Sequence, residues 1–337
     1  MRSPAFWSRP DPGWPATLLG PFEGLTARMT ARRLARPGWR APVPVICCGN
    51  VGVGGAGKTT LALDLAQSLQ ARSLQVHCLT LGYGGNVGRG ARSGGTPVAP
   101  LRVDPDHHDA AMVGDEALLL AQVAPCWVGA DRMASGQAAV AAGAQILLMD
   151  DGLQNPGLVQ DWPLLVIDGA VGFGNGRLLP AGPLREPVST AAARAACAIL
   201  IGRDATGSAQ RLPPGLPTLH ADLEMDPELL ALRGQRLLAF AGIARPAKFF
   251  DALTALGLTL VSTRAHPDHH RYRPRELEWL RTEAGRLGAL LVTTPKDAVR
   301  LPLAFQAQLR VARVSLRWHD PDAYTALLDK MVGLRAE

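Results

Sequence analysis

Residues 52–59 read Gly52-Val53-Gly54-Gly55-Ala56-Gly57-Lys58-Thr59. This stretch decides the fold, because it matches G-x-x-x-x-G-K-[ST], in which glycines let backbone N–H groups curl around phosphate oxygens. An apolar run that ends at Cys48 precedes it, and residues 60–66 follow with helical spacing. A glycine-rich stretch alone can be only a turn, but strand, loop and helix in this order are the context that a phosphate-binding loop requires. The sequence therefore predicts nucleotide binding.

The motif also assigns individual residues to parts of the nucleotide. Lys58 would reach the β- and γ-phosphates, and the Thr59 hydroxyl would bind Mg²⁺. The helix that starts after Gly57 adds the partial positive charge of its N-terminus. The residues predicted to bind the nucleotide are Gly52, Val53, Gly54, Gly55, Ala56, Gly57, Lys58, Thr59 and Thr60.

Apolar runs alternate with helical patterns along most of the chain. This alternation predicts an α/β fold with a P-loop NTPase-type parallel sheet flanked by helices. A stretch rich in Pro and Gly at 202–218 indicates a boundary, and the strands predicted beyond it form a second, smaller α/β lobe. We expect an N-terminal segment at 1–40, a P-loop core at 41–220 and a C-terminal lobe at 221–337. Residues 86–109, rich in Gly, Pro, Arg and Asp, are predicted to form a surface loop.

Charge and aromatic residues concentrate near the N-terminus. The chain has 35 basic and 29 acidic residues, a balance of +6 that suits acidic partners. Trp14, Phe22 and other apolar residues are interleaved with prolines, and an arginine-rich run follows them up to Arg40. The apolar part is too short to predict a membrane span, but the pattern is typical of an interfacial helix on an anionic membrane surface. A helix packed on the protein's own core is the alternative.

Two acidic residues follow a buried strand. Asp150 ends the apolar run 145–149, and Asp151 comes next. A carboxylate at this place, downstream of a phosphate-binding loop, is the Walker B arrangement, which holds Mg²⁺ directly or through water. A helix cap or a turn at Asp151-Gly152 is the structural alternative.

Transfer of a phosphoryl group to an alcohol needs a residue that accepts the hydroxyl proton. Candidates are Asp115 in Gly114-Asp115-Glu116 and the histidines of 266–270. The histidines alternatively bind a metal, or Asp115 is an N-cap and the histidines are loop residues. Arg177 and Arg185, in a turn-rich segment, are candidates for neutralising the charge of the transition state.

Several segments together resemble the tetraacyldisaccharide 4′-kinases, the lipid A 4′-kinases of Gram-negative bacteria. In order along the chain, the matching segments are 49–59, 82–85, 114–116, 150–154, 173–186, 241–246, 267–270 and 294–300. Each segment after the P-loop is weak alone, but the ordered set runs from about residue 10 to 320.

The resemblance implies an enzyme at the cytoplasmic face of the bacterial inner membrane, held peripherally or by its N-terminus. It implies transfer of the ATP γ-phosphate to the 4′-hydroxyl of a tetraacylated glucosamine disaccharide 1-phosphate, which gives lipid IVA. By the same resemblance, Asp115 is the general base, oriented by His269, and Arg185 faces the phosphates. Lys58 also acts in catalysis, and Thr59, Glu116, Asp150 and Asp151 serve Mg²⁺. A base and its histidine in different lobes imply that the lobes close before transfer.

Three positions depart from the family pattern, namely Leu81, Asn155 and Ala244, so no role is carried over to them. The main rival interpretation is a P-loop NTPase switch, such as a metallochaperone-type GTPase, although no guanine-recognition signature with the right spacing is present. Binding of nucleic acid is not expected, because aromatic residues make up only 5% of the chain.

Overall fold

The structure is a computed structural model, and it describes residues 4–9, 13–87 and 99–333. The strands, in chain order, are β1 (Val45–Gly49), β2 (Val76–Thr80), β3 (Leu101–Arg102), β4 (Cys126–Val128), β5 (Ile146–Asp150), β6 (Trp162–Asp168), β7 (Cys197–Ile201), β8 (Thr218–Met225), β9 (Arg236–Ala241), β10 (Thr259–Ala265), β11 (Leu290–Thr293), β12 (Leu309–Val311) and β13 (Val314–Trp318). Of the predicted surface loop at 86–109, residues 88–98 lie outside the described ranges, and Leu101–Arg102 forms a short strand.

The α-helices, in chain order, are α1 (Gly13–Leu19), α2 (Glu23–Leu34), α3 (Lys58–Gln70), α4 (Ala110–Val113), α5 (Asp115–Ala121), α6 (Arg132–Ala141), α7 (Val188–Arg194), α8 (Pro246–Ala255), α9 (Pro274–Leu287), α10 (Pro295–Ala298), α11 (Leu303–Gln306) and α12 (Pro321–Gly333). Among the described helices, no segment combines the length and the apolar composition that spanning a bilayer requires.

Within the described residues, nine strands form the larger sheet in the order β13-β8-β7-β6-β1-β5-β2-β4-β3. Neighbouring strands are parallel, except that β3 is antiparallel to β4 and β13 is antiparallel to β8. The central strands β1, β2, β5 and β7 are buried along their whole length, as expected for a sheet covered on both faces. The predicted α/β fold is confirmed.

The smaller sheet has the order β10-β9-β11-β12 in the described residues, and its strands are parallel. Apolar residues cover both of its faces, one centred on Phe249 and Leu253 of α8 and the other on Leu280 and Ala284 of α9. This sheet is the second α/β unit that the sequence predicts.

The chain returns to the larger sheet after it has completed the smaller one. Strand β13 pairs with β8, and Tyr324 of α12 donates a hydrogen bond to Asp64 of α3 over 2.6 Å. Trp318 of β13 stacks on Tyr324, and its indole N–H donates to Asp64 as well. The C-terminal residues are therefore hydrogen-bonded to the helix that begins at the phosphate loop. The predicted division into 1–40, 41–220 and 221–337 stays a prediction.

Candidate active site

The phosphate loop connects β1 to α3 as predicted. Gly57 caps α3 with φ +84°, and a Cβ there would lie 2.7 Å from Cδ1 of Ile201, so only glycine fits. Val53 donates its N–H to the carbonyl of Pro183, which ties the loop to the segment that carries Arg185. Thr60 lies in the first turn of α3. The loop thus connects a buried strand to a helix whose N-terminus faces the space at the end of the sheet.

Lys58 and Thr59 are both buried at the start of α3. The ammonium of Lys58 donates to the side-chain oxygen of Asn50 over 3.0 Å and to the carbonyl of Gly54 over 3.2 Å. It also lies 3.5 Å from Oδ1 of Asp151. These contacts hold the lysine over the glycine loop, where a phosphate would replace its present acceptors. Asn50 lies in a segment that resembles the family, but the resemblance implies no role for it; the structure shows it as a hydrogen-bond acceptor of Lys58.

Asp150 ends β5 beside Thr59, as the Walker B interpretation predicts. The Thr59 hydroxyl donates to Oδ2 of Asp150 over 3.0 Å, while Oδ1 is buried and has no hydrogen-bond partner among the described residues. Burial raises the pKa of Asp150, and the charge of Glu116 raises it further. An unpaired buried carboxylate oxygen next to a threonine hydroxyl is the donor set that Mg²⁺ prefers, so the residues fit the ion.

Asp151 pairs with Arg185 at the same edge of the sheet. Arg185 donates to both oxygens of Asp151, at 3.0 and 3.3 Å, and to the side-chain carbonyl of Gln154. Asp151 itself has φ +55°, an uncommon backbone conformation for a residue other than glycine. Burial would raise its pKa, but the charges of Lys58 and Arg185 outweigh burial and lower it. The turn after β5 therefore carries an ionised carboxylate held by two cations.

The two candidate arginines of the turn-rich segment have different surroundings. Arg185 lies beside Asp151, and its backbone N–H donates a further hydrogen bond to the carbonyl of Val51. Arg177 instead donates to Glu23 of α2 over 2.8 Å. Arg185 is thus the one that belongs to the candidate site, and Arg177 joins the segment to the N-terminal helix.

Asp115 is the first residue of α5 and is almost fully buried. Its Oδ2 lies 3.1 Å from Nδ1 of His269, which belongs to the loop after β10. Its Oδ1 accepts the backbone N–H of Glu116 over 3.0 Å. The structure therefore brings together the carboxylate and the imidazole that the family resemblance paired. The two lobes already meet at this contact.

His269 is held by its backbone as well as by its ring. It has φ +56°, its N–H donates to the carbonyl of Gly242, and Tyr83 packs on its ring at 5.5 Å between centroids. A Cβ on Gly242 would lie 3.0 Å from Oδ1 of Asp297 and from Cβ of His270, so glycine allows this close approach. Non-glycine residues with positive φ are often found at functional sites, and Asp151 and His269 both lie here.

Two cations that the sequence interpretation left without a role complete the site. Lys296 donates to Oε1 of Glu116 over 2.8 Å, and Arg300 donates to Oδ2 of Asp115 through two nitrogens. Burial would raise the pKa of Asp115, but the hydrogen bond from His269 and the charges of Arg300 and Lys296 lower it far below its ordinary value. The signal in the sequence that could have identified Lys296 and Arg300 is their position after strand β11, because Asp150 likewise stands at the end of a strand.

The other histidines of the 266–270 segment point elsewhere. His270 forms hydrogen bonds with both carboxylate oxygens of Glu276, at 3.0 and 3.1 Å, and its ring stacks on His266 at 4.4 Å. His266, His270 and Glu276 place one ligand atom each within 4.8 Å of one another. Glu276 is already engaged, because it forms hydrogen bonds with His270 and accepts the backbone N–H of Arg273. The three histidines of the predicted cluster are thus divided between two groups, and only His269 faces Asp115.

The chain is similar to known proteins over nearly its whole length. The family model described as tetraacyldisaccharide-1-P 4′-kinase matches residues 15–333. A tetraacyldisaccharide 4′-kinase of Gluconacetobacter diazotrophicus is 59% identical over 329 residues, 98% of each chain. That of Gluconobacter oxydans is 47% identical over 97% of each chain.

A solved structure of LpxK from Aquifex aeolicus in complex with ATP has a similar fold. The TM-score is 0.73, with 24% sequence identity, and the match covers 95% of this chain and all of that one. The family match over nearly the whole described chain, together with the identity to curated relatives, establishes that this protein belongs to the tetraacyldisaccharide 4′-kinase family.

Proposed function

We propose that this protein is an ATP-dependent lipid kinase of lipid A biosynthesis. It transfers the γ-phosphate of ATP to the 4′-hydroxyl of tetraacyldisaccharide 1-phosphate and forms lipid IVA. The observation that carries the proposal is the histidine-held carboxylate of Asp115, which lies at the same edge of the sheet as the phosphate loop and Asp150. A switch GTPase, the rival interpretation, needs the loop and Asp150 but has no use for a hydroxyl base.

The nucleotide is held by residues 52–60. Backbone N–H groups of the glycine loop and the N-terminus of α3 face the phosphates. Lys58 exchanges its present contacts with Asn50 and Gly54 for phosphate oxygens. Arg185, fixed by Asp151 and by Val51, directs its guanidinium towards the charge that spreads over the transferred group.

Magnesium would be held by Thr59 and Asp150, with Asp151 and Glu116 nearby. The unpartnered Oδ1 of Asp150 supplies the observation that the residues fit the ion. When bound there, Mg²⁺ would supply positive charge against the phosphates during transfer. Thr59 and Asp150 keep their mutual hydrogen bond, so both side chains are already oriented before the nucleotide arrives.

Asp115 accepts the proton of the 4′-hydroxyl, and His269 orients it. The imidazole gives its Nδ1 proton as a hydrogen bond to Oδ2, so the carboxylate stays ionised and cannot rotate. The hydrogen bond to Asp115 raises the pKa of His269, which favours its protonated form. The sugar hydroxyl attacks the γ-phosphorus while its proton passes to Asp115, and ADP leaves from the opposite side.

The acceptor is a lipid, and the N-terminal helices offer a surface for the membrane that contains it. Trp14, Leu18, Phe22, Leu25 and Met29 are each between 55% and 76% exposed and lie on α1, α2 and the turn between them. The basic residues Arg28, Arg32, Arg33 and Arg36 are exposed beside them. Large exposed apolar side chains flanked by arginines are typical of interfacial helices on anionic membranes.

The opposite side of α2 faces the protein and is held there by polar contacts. Thr26 and Thr30 donate to the carbonyls of Leu179 and Arg185, and Glu23 pairs with Arg177. A helix packed on the protein's own core would turn its apolar side inwards, so this arrangement favours the membrane over that alternative. The proposed location is the cytoplasmic face of the bacterial inner membrane, with the protein held peripherally.

The direct test is incubation with Mg-ATP and tetraacyldisaccharide 1-phosphate, followed by mass spectrometry. One added phosphate on the lipid is expected, and much less of this product with the Lys58→Ala protein. Nucleotide hydrolysis that prefers GTP and leaves the lipid unmodified would favour the switch instead. Flotation with anionic vesicles tests the surface: Trp14→Ser/Leu18→Ser/Leu25→Ser should stay in solution, whereas Leu303→Ser, at an exposed leucine elsewhere, should float like the parent.

A further inference from the structure

Two cations from one short segment of the smaller lobe hold the two acids of the site. We propose that Arg300 and Lys296 are positioning residues for the transfer: Arg300 fixes the carboxylate of Asp115, and Lys296 fixes that of Glu116. The segment follows β11 and contains α10, so both side chains come from the lobe opposite to the acids. The inference rests on the proposed role of Asp115 as the base.

Arg300 is itself rigidly held. Its side chain is 5% exposed, and its Nη1 donates to the carbonyl of Gly242 over 2.8 Å and to Oδ1 of Asp297 over 3.1 Å. Asp297 is fully buried and also accepts from the N–H of Gly242 and the hydroxyl of Tyr272. The carbonyl of Gly242 accepts the N–H of His269 too. The carbonyl of Gly242 thus sets the position of both Arg300 and His269, the two side chains that hold Asp115.

The two oxygens of Asp115 accept hydrogen bonds from different groups. Arg300 donates to Oδ2 through Nε and Nη2, and His269 lies 3.1 Å from the same oxygen. In the part of the chain that the structure describes, Oδ1 has the backbone N–H of Glu116 as its one donor. An ionised carboxylate accepts about four hydrogen bonds over its two oxygens, and among the described residues Oδ1 has fewer donors than Oδ2. We therefore assign Oδ1 as the atom that takes the proton of the acceptor hydroxyl.

Lys296 performs the matching task for Glu116. Its ammonium lies 2.8 Å from Oε1 of Glu116, and the charges of Glu116 and Asp115 raise its pKa against the opposing effect of burial. Glu116 is in turn close enough to raise the pKa of Asp150. Three carboxylates crowd the end of the sheet, and Lys296 supplies a counter-charge there. It therefore competes with a divalent cation for Oε1 of Glu116.

The test for Arg300 is how its replacement divides between kcat and KM for the lipid. Arg300→Met should lower kcat about tenfold or more and leave KM for the lipid nearly unchanged, because the guanidinium holds the carboxylate of Asp115 and does not bind the acceptor. Arg300→Lys keeps the charge but not the paired N–H donors, so it should recover only part of kcat. ATP affinity should stay within about twofold.

Arg281→Met, at an exposed arginine of α9, is the matched control and should leave both kcat and KM unchanged. A folded Arg300→Met protein with an unchanged kcat would overturn the role of Arg300. If Arg300→Met does not fold, an unmoved kcat in Arg300→Lys would do the same. Full transfer by Asp115→Asn would instead remove the proposed base, which is a separate failure.

The test for Lys296 measures metal binding without turnover. Mn²⁺ is titrated into the protein with a non-hydrolysable ATP analogue, and free Mn²⁺ is followed by electron paramagnetic resonance. Lys296→Met should bind Mn²⁺ about three- to tenfold more tightly, because Oε1 of Glu116 is released. Lys330→Met, at an exposed lysine of α12, should bind it like the parent. An affinity that is equal or weaker in Lys296→Met would contradict the proposed competition.

Discussion

Oδ2 of Asp115 lies 3.1 Å from Nδ1 of His269, although 154 positions separate the two residues in the chain. The carboxylate begins a helix on the larger sheet, and the imidazole lies on a loop of the smaller one. Phosphoryl transfer to an alcohol needs a base, whereas binding of a nucleotide does not. This contact is therefore the feature that separates a kinase from a nucleotide-dependent switch on the same fold.

Replacing Asp115 should separate transfer from nucleotide binding. Asp115→Asn keeps the shape of the side chain but removes its negative charge, so lipid phosphorylation should fall about 10²- to 10⁴-fold. ATP affinity, measured by calorimetry, should change by no more than a few fold, because the base acts on the acceptor. Asp329→Asn, at an exposed aspartate, serves as the control. Loss of ATP binding with normal transfer from the remaining complex would rule out the assignment.

Removing the ammonium of Lys58 should weaken both binding and transfer. A charge-assisted hydrogen bond contributes about 1.5–3 kcal/mol, so Lys58→Ala should lower ATP affinity about tenfold or more. The rate at saturating ATP should fall further, since the lysine follows charge that develops on the phosphates. Both are read from calorimetry and initial rates, with Lys248→Ala at an exposed lysine for comparison. Unchanged lipid phosphorylation in Lys58→Ala would refute the nucleotide site itself.

The Asp115–His269 pair should give stability a characteristic pH dependence. The pKa of His269 is raised from 6.5, so its protonated form stabilises the fold fully below pH 6.5, and this contribution is lost as pH rises through the higher folded value. The pKa of Asp115 is lowered from 3.8, so its contribution is present above pH 3.8 and is lost in stronger acid. The pair therefore stabilises the fold most between these limits.

His269→Asn tests this window, because asparagine tolerates the positive φ at this position. The free energy of unfolding should fall by about 1 kcal/mol near pH 5.5, and the deficit should shrink at pH 9. Urea unfolding at several pH values measures it. His319→Asn controls for the loss of a histidine at an exposed position. A deficit that does not vary with pH would mean that the histidine acts only through packing.

The arginines of α2 should make membrane association depend on salt and on lipid charge. Each basic residue near an anionic surface contributes about 1 kcal/mol, so Arg32→Gln/Arg33→Gln should lower partitioning to anionic vesicles about 30-fold. Partitioning to zwitterionic vesicles should change little, and high salt should remove the difference. Arg281→Gln/Arg286→Gln on α9 removes two exposed arginines elsewhere and should have no effect. Equal loss on both kinds of vesicle would exclude an electrostatic role.

The sequence predicted the sheet well because its central strands are continuous apolar runs. The apolar run at 145–149 predicts a strand, and β5 at Ile146–Asp150 lies within one residue of it, since burial on both faces leaves a strong signal. The return of β13 to the larger sheet was missed. Its pattern is short and mostly exposed, and antiparallel pairing with β8, 89 to 97 positions earlier in the chain, leaves no local mark.

For the site, the sequence located the residues that carry recognisable motifs. Lys58, Thr59, Asp150 and Asp115 were found from spacing or resemblance. Lys296 and Arg300 lie in a segment that resembles the family, but the sequence did not indicate a role for them. Which charges pair depends on which strands end side by side, and the sequence does not show that. The residue pattern alone left Arg177 and Arg185 as equal candidates, and the resemblance favoured Arg185. The structure places Arg185 beside Asp151 and Arg177 beside Glu23.

Helix α2 and the turn-rich segment 175–186 share an ion pair and two hydroxyl-to-carbonyl hydrogen bonds. The two segments should therefore be exchanged together between relatives, although about 150 positions separate Thr26 and Thr30 from their partners. A chimera that takes only the N-terminal helices from a relative would mismatch Glu23 and Arg177 and displace the loop that ends at Arg185. Swapping both segments together preserves the match, and we expect substitutions in one to have been accompanied by compensating substitutions in the other.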